Sequence, residues 1–248
     1  MTHHDKVPRA VTNDNPSYPA GVPPPSAKPS PAFSSPVFLA GFVAEARIAR
    51  RSGWPVGIGG GTTVGAAHIA RRLIGGGATG LVSFGLAGGL DPALPAGTLV
   101  VPEAVIADGC DWRTDIALGA RLGGTTGHVC LGTDRIVATA AEKHRLRRET
   151  GADLVDMESG AVAAIASAAG VPFAVLRAIC DAADRTLPPA ALIALDSEGR
   201  LAPARIAWSV LTSPAQVGAL LALARDAAAA RRALRSRIAA MQPVVVVP

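Results

Sequence analysis

Two stretches of eighteen residues, Leu73–Leu90 and Ser159–Leu176, contain no charged side chain. A chain must bury such segments in a core or lay them across a bilayer, and their length is close to that of a spanning helix. The first holds Gly75, Gly76, Gly77, Gly80, Gly85, Gly88 and Gly89, and the second is cut by Gly170-Val171-Pro172. Glycine and proline interrupt a long helix, so each stretch reads as two short buried elements joined by a turn.

Buried pieces of this kind recur along the chain. VFLAGF (37–42) reads as a strand leading into a helix over 44–51, and Gly57 to Gly61 opens a helix through Thr62 and Thr63. GLVSFGL (80–86) reads as a buried strand, and GTLVVPEAVIAD (97–108) as a long β-branched strand despite Pro102. After a glycine-rich connector come the strand HVCLG, a charged helix from Asp134 to Thr150, the strand ADLVDM, a small-residue helix from Glu158 to Ala169 and the strand VPFAVLRAIC. A last helix is expected from about Pro214 to Met241. Strands alternating with helices argue an α/β layer fold with a largely parallel sheet, whose ligand site lies beyond the C-terminal strand ends. Nine of the 20 prolines fall within residues 1–36, so 1–35 is expected to be a disordered leader and 36–248 one domain.

Composition removes several classes of function. The net charge of +5 comes from 21 Arg and 3 Lys, but only 4% of residues are aromatic and no nucleic-acid motif is present, so no nucleic-acid partner is expected. No apolar export segment follows the N-terminus. Cys110, Cys130 and Cys180 are odd in number and lack C-x-x-C spacing, which suits a reduced cytoplasmic protein. G-x-x-x-x-G-K-[ST] and G-x-S-x-G are absent, and His68, His128 and His144 have no metal-ligand spacing. Lys143 sits in the charged run EKHRLRRE, a poor place for a Schiff base. The cluster Gly57-Ile58-Gly59-Gly60-Gly61 lacks the last glycine of a dinucleotide fingerprint.

What remains is chemistry at predicted strand ends. The turn GLAGGLDP (85–92) follows a buried strand, so the amides around Gly85, Ala87 and Gly88 either face a ligand oxygen or merely close a tight turn. Asp156, Met157 and Glu158 end one strand, and Cys180, Asp181 and Asp184 the next. Carboxylates there are helix caps or catalytic groups.

Ser83–Gly109 and Asp153–Asp184 together resemble the two characteristic regions of the purine nucleoside phosphorylase and uridine phosphorylase superfamily, nearest to 5′-methylthioadenosine/S-adenosylhomocysteine nucleosidases. The stretches GFVAEARIA and SFGLAGGLDP are also similar to hopanoid-associated phosphorylases, which act on adenosylhopane. The resemblance implies a three-layer αβα fold with a mixed, mostly parallel sheet. It also implies cleavage of an N-glycosidic bond through a ribosyl cation, with no metal or organic cofactor. By that resemblance Asp181 is the general acid at purine N7, Glu158 accepts from the ribose hydroxyls and Met157 packs on the sugar. Ile136 and Val137 match the segment that holds adenine, with Ile136 replacing the family's stacking phenylalanine.

The nucleophile is less clear from the resemblance. The family's water-activating glutamate counts onto Ala46, one residue after Glu45, which is the candidate base. The family serine in the glycine turn is Leu86, and a phosphate-binding arginine of the hexameric phosphorylases is Ser83. Phosphate is the expected co-substrate, held at Gly59-Gly60-Gly61-Thr62 or by Arg47, with adenosylhopane the expected substrate. A hydrolytic nucleosidase and a non-catalytic nucleoside-binding module are the alternatives. Related enzymes imply a homo-oligomer. In the last helix Val217, Leu220, Leu221, Ala224, Ala228, Leu234, Ile238 and Met241 follow helical spacing beside Arg231, Arg232, Arg235 and Arg237. That helix is expected to pack on the core with a solvated basic face, or to touch an anionic membrane.

Overall fold

The computed structural model describes residues 33, 35–192 and 214–241. The expected leader lies outside them, apart from Phe33 and Ser35. Nine strands form one sheet: β1 Val37–Ala40, β2 Val56–Ile58, β3 Leu81–Gly89, β4 Leu99–Val100, β5 Ala104–Ala107, β6 Cys110–Arg113, β7 Val129–Gly132, β8 Leu154–Asp156 and β9 Phe173–Asp181. The helices are α1 Val43–Ala49, α2 Thr63–Gly75, α3 Ile116–Arg121, α4 Ala140–Thr150, α5 Ser159–Ala168, the single turn α6 Pro189–Leu192 and α7 Val217–Ala240. Pairing runs β2-β1-β3-β8-β7-β5-β6, with β9 against β3 and β4. The β1–β2, β1–β3, β3–β9, β5–β7 and β7–β8 pairs are parallel, and β3–β8, β4–β9 and β5–β6 are antiparallel.

The central strands are apolar at nearly every position because both faces of the sheet are covered. Val37, Leu39, Leu81, Phe173, Val175 and Ile179 pack towards Ala66, Ala70 and Leu73 of α2 and Ala163 and Ala166 of α5. Their alternate neighbours Phe38, Ala40, Val82, Phe84, Ala174 and Leu176 pack towards Ala46 and Ile48 of α1, Leu118 of α3 and Leu234 and Ile238 of α7. The period-2 alternation of side chains thus feeds two cores from one sheet. The α/β fold is what the alternation of elements predicted, and its mixed, mostly parallel sheet is what the resemblance implied.

Four local readings need correction. GLAGG is not a turn after a strand, because β3 continues to Gly89 and pairs with β9 and then β8. The strand expected over 97–108 breaks around Pro102, which cannot donate to a ladder, into β4 and β5. The helix expected from Asp134 starts at Ala140, after Thr139, whose hydroxyl accepts from the Glu142 amide at 3.2 Å. In α7 only Ala230, Leu234 and Ile238 are buried; Val217, Leu221 and Ala224 are exposed.

The chain just before β1 also packs on the domain. The Phe33 amide donates to the Gly76 carbonyl at 3.0 Å, and its ring lies against the cluster that contains Leu73. A chain beginning at residue 36 should therefore melt about 2–4 °C below one beginning at residue 31, the effect of about 1 kcal/mol in a domain of this size. Equal melting temperatures would show that the Phe33 contact adds nothing.

Candidate active site

The turn from β8 into α5 sorts the carboxylates. Asp156 Oδ1 accepts from the Glu158 amide at 3.2 Å and the Ser159 amide at 2.9 Å, and its Oδ2 accepts from the Ser159 hydroxyl. Asp156, two residues before the N-cap Glu158, thus holds the first amides of α5, and the Glu158 side chain makes no cap bond and is left for other work. The long side chain of Arg177, only 1% exposed, reaches from the middle of β9 into this corner. Its Nη2 donates to Glu158 Oε2 at 2.9 Å and to Ser83 Oγ at 2.8 Å, while Nε forms an ion pair with Asp156 Oδ2 at 2.6 Å.

Glu45, in the first turn of α1, joins the same corner. Its Oε2 accepts from the Phe42 amide and its Oε1 from the Leu86 amide, both at 3.0 Å. Two glycines make room for this convergence. A Cβ at Gly41 would lie 2.5 Å from Glu158 Oε1 and 3.3 Å from Glu45 Oε2, and one at Gly85 would lie 2.6 Å from both Glu45 Oε1 and Arg177 Nη1. Two buried carboxylates therefore share the space above Gly41, with one guanidinium behind them. Burial pushes the Glu45 carboxyl above its ordinary value against the opposing pull of Arg177. Glu158 is pushed up to about 7, by burial against Arg177 and further by the charges of Asp156 and Glu45.

The second part of the site is Asp181, at the end of β9. Ala87 pairs with Ile179 but Gly88 pairs with Asp181, so the ladder is irregular at Cys180, a feature that redirects the side chain that follows. Asp181 Oδ2 is ion-paired with Lys143 Nζ, and Oδ1 accepts from the Cys180 thiol at 3.0 Å. Gly88 runs close beneath, since a Cβ there would be 3.3 Å from Asp181 Oδ2. Asp181 follows Arg177 by four positions on β9, so it stands further along the same strand, beyond the corner that holds the carboxylate pair.

The other candidate residues are placed more variously. Met157 is half-buried and its carbonyl accepts from Thr63 Oγ1 at 3.0 Å. Ala87 is buried in the α2/α5 core. Val137 packs among Leu90, Leu131, Ala152 and Val155, whereas Ile136 is 43% exposed. Ala46 is buried in the opposite core, so it is Glu45 that faces Glu158. Arg47 turns away from the carboxylates and lines a separate cleft with Arg51, Arg231 and Arg235. Thr62 caps α2 by accepting from the Gly65 amide.

Reasoning from the sequence gave no role to Arg177 or Ser159 and set Lys143 aside. A lone charged residue inside the apolar strand VPFAVLRAIC was the available signal for Arg177. For Lys143 it was the i, i+3 spacing to Leu146, which puts the lysine on the inward face of a polar helix.

Residues 125–212, which include Glu158, Arg177 and Asp181, match the family model described as the phosphorylase superfamily. Solved structures share the fold. Futalosine hydrolase of Helicobacter pylori strain 26695 is 18% identical with a TM-score of 0.59, over 83% of this chain and 97% of that one. The 5′-methylthioadenosine/S-adenosylhomocysteine nucleosidase of the same organism, solved with butyl-thio-DADMe-Immucillin-A, has the same values. The nucleosidase of Neisseria meningitidis, in complex with methylthio-immucillin-A, is 17% identical with a TM-score of 0.55, over 82% of this chain and 100% of that one. At these identities the likeness is one of fold. Among curated proteins no sequence match is found.

Proposed function

We propose that this protein cleaves the N-glycosidic bond of an adenosyl nucleoside and releases adenine, with water as the attacking group. The observation that carries the reading is the pair Glu45–Glu158 above Gly41, with Asp181 further along the same strand pair. Two barriers oppose the reaction: a purine leaves poorly as an anion, and positive charge builds on the ribose. Asp181 donates a proton to N7 as the bond breaks. Glu158 accepts from the ribose hydroxyls and sets negative charge beside the developing cation. Glu45 takes the proton of the attacking water, a task suited to a carboxyl whose affinity for protons burial has raised.

Phosphate was the nucleophile expected from the sequence, and the geometry shifts the preference to water. Among the described residues the buried cations Arg177 and Lys143 are both paired with carboxylates, and Arg47 faces the separate cleft. A phosphate dianion beside Glu45 and Glu158 would meet two like charges in a poorly solvated corner. Adenine release from methylthioadenosine, adenosylhomocysteine and longer adenosyl compounds should therefore proceed at its full rate in phosphate-free buffer. A rate that saturates with added phosphate, with ribose 1-phosphate chemistry in the product, would replace water by phosphate.

The acid side of the pH profile follows from the same pair. Protonating Glu158 removes both its charge and one acceptor, so kcat/KM should rise with pH through an apparent value near 7 that belongs to the coupled Glu45–Glu158 pair. In Glu158→Gln this limb should move or disappear while kcat falls; an unchanged limb would place the titration elsewhere.

A second reading, phosphorolysis of adenosylhopane, is favoured by the stretches GFVAEARIA and SFGLAGGLDP and by one surface feature. Arg47, Arg51, Arg231 and Arg235 line a cleft of about 330 Å³ between α1 and α7. Four cations without a carboxylate in the lining suit an anionic surface that presents such a lipid. No described helix is long and apolar enough to cross a membrane, so contact with a bilayer in this reading is peripheral, from the cytoplasmic side. A homo-oligomer fits either reading.

A further inference from the structure

The ε-amino group of Lys143 is buried completely, although it belongs to one of the most polar helices of the chain. Lys143 sits one turn after Thr139, its amide bonded to the Thr139 carbonyl at 3.0 Å, and Leu146 and Arg147 follow on the same inward face. Leu146 packs on the cluster around Leu131, and Arg147 is anchored to Asp91 and Asp153, so this face of α4 is fixed from both ends. The ammonium is ion-paired with Asp181 Oδ2 and donates to the carbonyls of Ala182 at 2.9 Å and Arg185 at 3.1 Å. Burying an ammonium is costly unless it is paired and fully bonded, and this one meets both conditions at the tip of the strand that carries the proposed acid.

We infer that Lys143 is a positioning residue for leaving-group protonation: it holds Asp181 Oδ2, leaves Oδ1 for the base, and neutralises the carboxylate that remains once the proton has gone to the purine. The inference rests on Asp181 being the acid. A proton from solvent first joins Asp181 Oδ1 at the bound purine; in the step itself that O–H bond breaks and the N7–H bond forms. The electron pair of the C–N bond passes to the purine, and the new negative charge stays on Asp181 beside the ammonium, which keeps its own protons. Without Lys143 that charge would develop in a buried place with only the Cys180 thiol beside it. The carbonyls held by the same ammonium keep the chain after β9 in place, so the acid has a fixed support on both sides.

A leaving group that needs no proton separates this role from a structural one. Lys143→Met should lower adenine release from an adenosyl nucleoside by about 10²-fold, the scale of a positioned acid or of one lost electrostatic partner. The same variant should leave hydrolysis of p-nitrophenyl β-D-ribofuranoside, whose phenolate departs unaided, within about threefold of wild type, since only leaving-group protonation is disturbed. In an Asp181→Asn background, adding Lys143→Met should change adenine release little further, because the two residues act as one unit. Should Lys143→Met not stay folded, Lys143→Gln, which keeps a donor for the carbonyls and loses the charge, is read on the same two substrates. Equal losses on both substrates, losses that multiply in the double variant, or unchanged adenine release would overturn the inference. Wild-type adenine release by Asp181→Asn itself would instead remove the acid, and with it the reading of the reaction.

Discussion

Asp181→Asn should lower adenine release by about 10²–10⁴-fold, the usual worth of a positioned general acid. An amide matches the carboxyl in shape but has no acidic proton to give to N7. The loss should appear in kcat and kcat/KM together, because the interaction it removes is made only as the bond breaks. Asn would also leave the Lys143 ammonium without its counter-charge, so circular dichroism and a melting curve must accompany the kinetics. Near wild-type turnover in a folded variant would take Asp181 out of the reaction.

The largest effect on stability is expected at Arg177. Its guanidinium touches Asp156 and Glu158 directly and lies close to Glu45, and none of these groups reaches solvent freely. Arg177→Met keeps much of the side-chain volume and removes the only cation in that corner among the described residues. Breaking one partner of a buried pair typically costs about 3–5 kcal/mol, which in a domain of this size lowers the melting temperature by about 10 °C. The sign of the pH dependence follows from who is charged. At pH 8 Glu158 and Glu45 are largely ionised and repel one another, whereas near pH 5 these two take up protons, their affinity for them being raised by burial, and the penalty shrinks. Melting curves at the two pH values test this; a variant that melts with the wild type at pH 8 would mean that the carboxylates do not depend on Arg177.

The strands around the two cores were legible because burial on both faces leaves continuous apolar runs, as in VFLA of β1 and FAVL of β9. Boundaries were lost where a side-chain bond, rather than hydropathy, decides them. Thr139 starts α4 by capping it, and the Thr139-x-x-Glu142 spacing that marks such a start was outweighed by the charges from Asp134 onward. The turn reading of GLAGG failed for a different reason. Glycines normally weaken a strand, but here Gly85 and Gly88 are the positions where carboxylates from other elements come closest to the backbone. Glu158 and Asp181 were singled out through the resemblance, since position in a strand alone could not separate a cap from a working carboxylate. Asp156 turned out to hold the first amides of α5 and the Arg177 guanidinium. Lys143 was dismissed because its neighbours are charged, and its burial depends on which face of α4 turns inward, which composition averages away.

On the proposed reading, the β3–β9 pairing has a consequence for which molecules this protein can accept. Leu86 anchors Glu45, Gly88 lies beneath Asp181, and both belong to a strand hydrogen-bonded to the one that carries Arg177 and Asp181. The gap between the sugar end and the base end is thus set by ladder register, which shifts only in whole residues. It acts as a ruler with one graduation. Ligands that differ between the ribose ring and N7 have no adjustable part to accommodate them, while anything attached at the far side of the ribose never meets the ruler. Variation among substrates of such a scaffold should therefore accumulate in the tail beyond the sugar, where loops and neighbouring surfaces can change without moving either strand.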